Sequence, residues 1–390
     1  MTQIERVHIG DLFIGGVLLV SQVLIGLVFF TRARKGLTRR WFQAGASVLF
    51  LLWICSALGL ILGVFPFVPV SPGIRGFSSA VETMWGFVSA IAIVIYLIYR
   101  QLANRLPQNC SPGRRRLIRA GAAAAMAAPA VLATYGAFIE RTSYRVREID
   151  FPVPNLHPDL AGLRIAQISD LHVSPFLSVR EAGRVVDITN ELKPNLTLVT
   201  GDLISESGDP LDATIAELAR LRADAGVLGC LGNHEIYAGC ENYATEAARR
   251  VGIVFLRRES RRLTWGKGVL NVAGVDYQSF HRKAEYLRGA EKLIVPGASN
   301  LLLSHNPDVF PLAVTQGYDA VLAGHTHGGQ VTVEILNQTL NFAKFFTPYV
   351  AGLYRKDGRS CYVTAGIGTI GMPVRTGAPP EITLLRLRRA

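Results

Sequence analysis

Tyr318-Asp319-Ala320-Val321-Leu322-Ala323 runs straight into Gly324-His325-Thr326-His327-Gly328-Gly329-Gln330, and the rest of the chain is best read outward from that junction. An apolar strand hands over to a loop carrying two histidines two residues apart. On an extended segment such residues point the same way, so both imidazoles can reach one cluster of metal ions. The flanking glycines have no Cβ and let backbone pass close to such a cluster. Alone, His-x-His is weak evidence, because histidine is both the commonest metal ligand and an ordinary core residue.

Its company upstream changes the weight. Residues 164–169 read as a strand ending in Asp170-Leu171-His172. A helix over 179–192 follows, then a strand at 195–200 ending in Gly201-Asp202. A second helix, 211–223, leads to a strand at 226–231 and to Gly232-Asn233-His234-Glu235. The strand 300–304 ends in His305. Strands alternating with helices make an α/β layered domain, and ligand sites in such sheets lie at the carboxyl ends of strands. Five of the eight histidines fall at these five ends. Each short motif has a dull alternative as a turn or a cap; five in order, each after an apolar strand, do not.

This ordered set resembles the calcineurin-like metallophosphoesterases, over about residues 163–382. The tail, Gly366-Ile367-Gly368-Thr369 through Met372-Pro373-Val374-Arg375 to Pro380-Glu381-Ile382, is similar to the membrane-associated bacterial branch typified by the YkuE and YaeI proteins. The resemblance implies a four-layer αββα sandwich and a metal-dependent hydrolase of phosphomono- or phosphodiesters. A phosphate ester is anionic and repels hydroxide, and two cations about 4 Å apart overcome that repulsion. Asp202 suits a bridging carboxylate, since one carboxylate can offer an oxygen to each metal. The resemblance assigns Asp170, His172 and His327 to one metal, and Asn233, His305 and His325 to the other. Nitrogen mixed with oxygen suits Mn, Fe, Co, Ni or Zn better than Ca or Mg. His234 is expected to face substrate as the catalytic histidine. Glu235 has two readings, orienting His234 or marking a helix N-terminus. Arg375 is expected at the surface, with contact to substrate phosphate as the sharper alternative.

The N-terminal part is of another kind. Overall 49% of residues are hydrophobic and mean hydropathy is +0.28, which suggests a membrane part. Of the net charge of +12, residues 1–140 carry +9. Basicity concentrated among apolar segments belongs to membrane–water boundaries, so no nucleic-acid partner is expected. Segments at about 12–30, 41–64 and 79–99 are long enough to span, which takes roughly 20 apolar residues. A fourth, 117–139, is Ala-rich and interrupted by Pro129, leaving a span or an interfacial helix open. The chain therefore divides into a transmembrane region, 1–140, and a catalytic domain, 141–390.

Arginines and a lysine after the first and third spans, against Arg75 alone after the second, put those two loops in the cytoplasm and, if the fourth segment spans, the catalytic domain outside it. Arg114-Arg115-Arg116 reads equally as inside-positive charge or as a partial twin-arginine signal, with the same consequence. The expectation is a multi-pass inner-membrane protein. A short tether, residues 141–150, and the aromatic segment Phe342, Phe345, Phe346 and Tyr349 around Lys344 point to the bilayer and to a lipid-linked or envelope phosphoester. The bland alternative for those aromatics is core. Of the five cysteines none shows C-x-x-C spacing, and Cys230 and Cys240 are expected as buried thiols, with a pair in an oxidising compartment as the alternative. The rival to an enzyme is a membrane sensor or scaffold with an inactive phosphoesterase fold. A transporter is disfavoured, because the spans hold almost no charge apart from Glu82 near one end.

Overall fold

The computed structural model describes residues 9–32, 38–65, 68–107, 111–335 and 338–390; Arg34, Lys35, Cys110 and the side chain of Phe342 lie outside that description. Two compact units are present: Met1–Ala137 with Gly371–Pro373, and Phe138–Ile370 with Val374–Ala390.

The first unit is helical: α1 (Ile9–Arg32), α2 (Arg39–Val64), α3 (Pro72–Asn104) and α4 (Pro112–Phe138). Small residues let these helices approach, as in membrane bundles; a Cβ on Gly59 would stand 2.4 Å from the Ser78 carbonyl oxygen. Among the described residues, three helical stretches are long and apolar enough to cross a membrane: Arg39–Gly63, Gly73–Asn104 and Pro112–Thr142. The described apolar part of α1, Gly15–Thr31, is shorter. The fourth segment, left open in the sequence, is thus one of the three, and Pro129 sits inside a continuous helix. A proline is tolerated there because neighbouring groups can satisfy the freed carbonyl.

The second unit is a four-layer αββα sandwich. Its strands are β1 (Arg145–Val153), β2 (Arg164–Ile168), β3 (Leu196–Thr200), β4 (Val227–Cys230), β5 (Ile253–Phe255), β6 (Glu259–Trp265), β7 (Gly268–Gly274), β8 (Ser299–Leu303) and β9 (Ala320–Ala323). The hairpin β10 (Thr332–Ile335) and β11 (Gln338–Asn341) precedes β12 (Gly352–Lys356), β13 (Arg359–Val363) and β14 (Glu381–Arg389). One six-stranded sheet runs β1-β14-β2-β3-β4-β5, the other β12-β13-β9-β8-β7-β6. In both, the central strands are parallel: β2 to β5 in the first, β13-β9-β8-β7 in the second.

Strand alternation builds the layers. Leu196, Leu198, Leu301, Leu303, Ala320 and Leu322 face the space between the sheets with Tyr362 and Phe151. Val199 faces outward against α5 (Val179–Glu191), α6 (Leu211–Leu218) and α8 (Glu241–Arg250) through Val185, Ile215 and Ala248. Leu302 and Val321 face α9 (Phe310–Gln316) through Phe310 and Ala313.

One expectation fails here. The stretch read as a tether holds the first six residues of β1, which pairs in parallel with β14 from Arg145↔Glu381 to Val153↔Arg389. Its alternation is hidden because the first half of the strand is exposed and charged, and only Phe151, Pro152 and Val153 are buried. Cys230 and Cys361 are buried thiols and Cys240 is half-buried; all are free.

Candidate metal centre

Five strand ends converge. After β2 come Asp170 and His172, after β3 Asp202, after β4 Asn233 and His234 at the start of α7 (Asn233–Tyr237), after β8 His305, and after β9 His325 and His327. Three of these strands belong to one sheet and two to the other, so the cluster lies where the carboxyl ends of both sheets meet.

The convergence bends the backbone. Asp170, His172, Asp202, His325 and His327 all have positive φ, between 48° and 75°. Side chains rarely adopt that region, and such residues gather at functional sites where the surroundings impose it. It also corrects the reading of His-x-His. The two histidines do not lie on an extended segment. They occupy a left-handed turn into the short 3-10 turn His327–Gly329, and they serve different groups. Asp170, His172 and His327 form one potential metal group, and Asp202, His305 and His325 another. His172 and Asp202 also lie within reach of His234. A Cβ on Gly324 would fall 2.1 Å from Ser169 Oγ and 2.3 Å from Asp170 Oδ2, which is why glycine precedes His325.

Hydrogen bonds decide which atoms face inward. The amide of His325 donates to Asp170 Oδ1 at 2.9 Å, leaving Oδ2 buried without a partner. The amide of His234 donates to Asp202 Oδ1 at 2.9 Å. Asp202 Oδ2 then lies 2.9 Å from His305 Nε2 and 3.4 Å from His172 Nε2. A shared role for Asp202 therefore falls to Oδ2 alone, not to one oxygen per metal. His305 Nδ1 donates to the Thr200 carbonyl at 2.6 Å, so its Nε2 is the inward lone pair. His172 Nδ1 lies 3.2 Å from Ser205 Oγ. Asp170 Oδ2, His172 Nε2, His305 Nε2 and Asn233 Oδ1 are all buried without a hydrogen-bond partner. Orphaned buried polar atoms are costly, and four turned into one small volume fit a cation's donors.

The electrostatics agree with that donor set. Burial opposes ionisation of Asp202, but His305 and His172 outweigh it and hold the carboxyl well below its ordinary range. Burial raises Asp170, against the pull of His305. Burial and then His305 push His325 down to about 3; burial, His172 and Arg375 hold His327 well below its ordinary value. Neutral imidazoles and an ionised carboxylate are the forms a metal binds. His305 moves the other way, up to about 10, because Asp202 and Asp170 overcome its burial. The same two carboxylates would attract a cation in place of that proton.

Of the two readings of Glu235 the helix N-terminal one holds, and Arg375 differs from expectation. Glu235 is fully buried and does not orient His234. Its Oε2 accepts from the amides of Gly232 (2.8 Å) and Asp202 (3.1 Å), and its Oε1 from that of Leu203 (2.6 Å). It braces the Asp202 loop while capping α7. The His234 ring is held instead by the Ser205 carbonyl, to which Nδ1 donates. Arg375 is neither exposed nor near the cleft opening. Its guanidinium is wholly buried and donates to the carbonyls of Gly368, Ala378 and Ala365, each at 2.9 Å. It also lies 3.4 Å from both the carbonyl oxygen and Nδ1 of His327. A chain segment with many carbonyls turned inward and no carboxylate in contact selects arginine, with its five donors.

Sequence reading missed an aromatic wall. The Tyr277 ring lies 5.4 Å from His325 and 6.2 Å from His305 between centroids, and Tyr237 lies 5.8 Å from His234. The signal was there: Tyr277 follows β7, a sixth strand ending on the same side. The aromatic segment beyond the cluster is split. Tyr349 packs on the outer core of the second sheet, whereas Phe345 and Phe346 are exposed.

Residues 163–329 match the model of the calcineurin-like phosphoesterase family. The chain is 31% identical to the transmembrane protein with metallophosphoesterase domain of Danio rerio, over 67% of this chain and 61% of that protein. It is 28% identical to the protein of the same description from Bos taurus, over 63% and 57%. The uncharacterized metallophosphoesterase YkuE of Bacillus subtilis is 28% identical over 58% of this chain and 79% of its own length. The chain thus spans about three-fifths of the two vertebrate relatives.

Proposed function

We infer, from a chain whose residues 163–329 belong to the calcineurin-like phosphoesterase family, a membrane-anchored phosphoesterase working with two divalent cations. The carrying observation is the convergence of four buried atoms, Asp170 Oδ2, His172 Nε2, His305 Nε2 and Asn233 Oδ1, that make no hydrogen bond, with Asp202 Oδ2 between the two imidazoles. Asp170, His172 and His327 would hold one cation and Asn233, His305 and His325 the other, with Asp202 Oδ2 shared. Bound there, two cations would polarise the phosphoryl oxygens and acidify an attacking water.

The chain's own residues supply the rest. The Thr200 carbonyl fixes the His305 tautomer, and the amides of His234 and His325 hold the two aspartates in place. His234 is half-buried, unlike its neighbours, and keeps Nε2 as its remaining ring nitrogen. In its imidazolium form, which burial opposes and Asp202 favours, that nitrogen would donate a proton to the leaving oxygen. Tyr237 and Tyr277 would bound the space for the ester's organic part. For the substrate itself, the apolar helices and the exposed Phe345–Phe346 pair favour a lipid-linked or envelope phosphoester.

The full chain, purified in neutral detergent, should hydrolyse an aryl phosphodiester with Mn²⁺ and lose that activity on chelation. A folded protein inactive with every divalent metal would instead support the sensor or scaffold reading.

A further inference from the structure

A cavity of about 580 Å³ lies in the sandwich unit and reaches Gly328, the residue after His327. Arg145, Arg147, Lys344, Tyr354, Thr332 and Asn341 line it, and none of the clustered aspartates or histidines does. Among the described residues, Glu381 is its one acidic lining residue, 3.7 Å from Arg147. Among the described residues, the Arg145 guanidinium and the Lys344 ammonium have no hydrogen-bond or ion-pair partner. Three cations against one carboxylate around a roomy hollow select an anion, and guanidinium groups favour a phosphate they can grip with two N–H bonds.

The rim indicates what carries the phosphate. Lys344 is followed by Phe345 and Phe346, which are 82% and 70% exposed. A cation beside two outward phenyl rings is the arrangement of an interface that is wet at one end and apolar at the other. Arg145 follows Phe138, the last residue of α4, by seven positions in a chain whose preceding helix is long enough to span a membrane. A soluble phosphate would need the cations but not the rings. We propose that this cavity binds the headgroup phosphate of an anionic phospholipid, with Phe345 and Phe346 seated among its acyl chains. The site goes beyond the phosphoesterase reading: lipid held there is bound, not hydrolysed.

The test uses the full chain in neutral detergent and three probes: short-chain phosphatidylglycerol, short-chain phosphatidylcholine and glycerol phosphate. The wild type should bind phosphatidylglycerol at least tenfold more tightly than either of the others. Arg145→Gln with Lys344→Gln should weaken phosphatidylglycerol about 10- to 30-fold, each cation near a lipid phosphate being worth about fivefold. Phe345→Ser with Phe346→Ser should weaken phosphatidylglycerol and leave glycerol phosphate unchanged. If the double glutamine variant fails to fold, Lys344→Gln alone, at an exposed position, should still cost about fivefold. Unchanged phosphatidylglycerol binding in folded variants overturns the proposal, as does glycerol phosphate binding as tightly as the lipid. Aryl diester turnover in the same preparations reports separately on the metal centre.

Discussion

Asp202 and His234 are adjacent in space, joined by the His234 amide and Asp202 Oδ1, yet their loss should have different consequences. Asp202 Oδ2 faces both His305 and His172, so Asp202→Ala should empty both metal positions and abolish turnover. His234→Ala should keep the metals, measured by elemental analysis, and lower kcat by about 10²- to 10⁴-fold, the usual worth of a general acid. Metal loss in His234→Ala would move it into the ligand set, a role its distance to His172 and Asp202 permits. Arg375 acts by another route. Arg375→Leu strands the inward carbonyls of Gly368, Ala365 and Ala378 and removes the neighbour of His327 Nδ1. Each stranded buried acceptor costs about 1–3 kcal/mol, so a sharp fall in the unfolding midpoint is expected. Arg375→Lys, with three donors in place of five, should lie between. An unfolding midpoint unaltered in Arg375→Leu would show that these carbonyls find water instead.

At the level of elements, the site depends on how closely strand ends can approach, and glycine sets that limit. Gly324→Ala would drive a methyl group into the Asp170 carboxylate, so metal affinity should fall by at least tenfold while secondary structure by circular dichroism stays as it is. Equal metal affinity would mean that the Asp170 loop yields. The parallel strands were legible because each is a short apolar run buried on both faces, and the ligands followed because each run ends in a polar loop. Other features were not. β1 shows charge on its exposed half and joins its sheet beside β14, more than two hundred residues away, so no local pattern announces it. The left-handed turn at His325 and His327 arises from crowding between two sheets, and spacing along one strand carries no trace of it. Glu235 and Arg375 answer to backbone groups brought together by tertiary structure. Glutamate at the start of a helix and arginine in a loop read the same way whether buried or exposed.

For the whole molecule, the division into a helical unit and a sandwich unit predicts separable behaviour. Chelation should lower the thermal midpoint of the sandwich only, since a ligand at 100 times its Kd stabilises the state that binds it by about 2.7 kcal/mol. A shift in the helical transition as well would mean the two units unfold together. We propose, from charge, the side of the membrane on which the sandwich lies. Arg39 and Arg40 open α2, Arg100 and Arg105 lie at the end of α3, and Arg114, Arg115, Arg116 and Arg119 near the start of α4. Around the end of α2 and the start of α3 stands only Arg75, and that guanidinium is occupied, donating to the carbonyls of Leu62 at 2.6 Å and Val68 at 2.8 Å. Basic connections stay in the cytoplasm. On this reading α2 runs outward, α3 returns, and α4 crosses again, so the sandwich emerges outside whether or not the shorter α1 crosses. The reporter junctions must respect β1, so the informative fusion ends at Ser143, before the strand begins, and not within it. A phosphatase reporter active only outside the cytoplasm should be active after Ser143 and silent after Lys35. Silence at Ser143 would place the metal centre in the cytoplasm, take α4 out of the membrane, and restrict the accessible phosphoesters to those of the inner leaflet and cytosol.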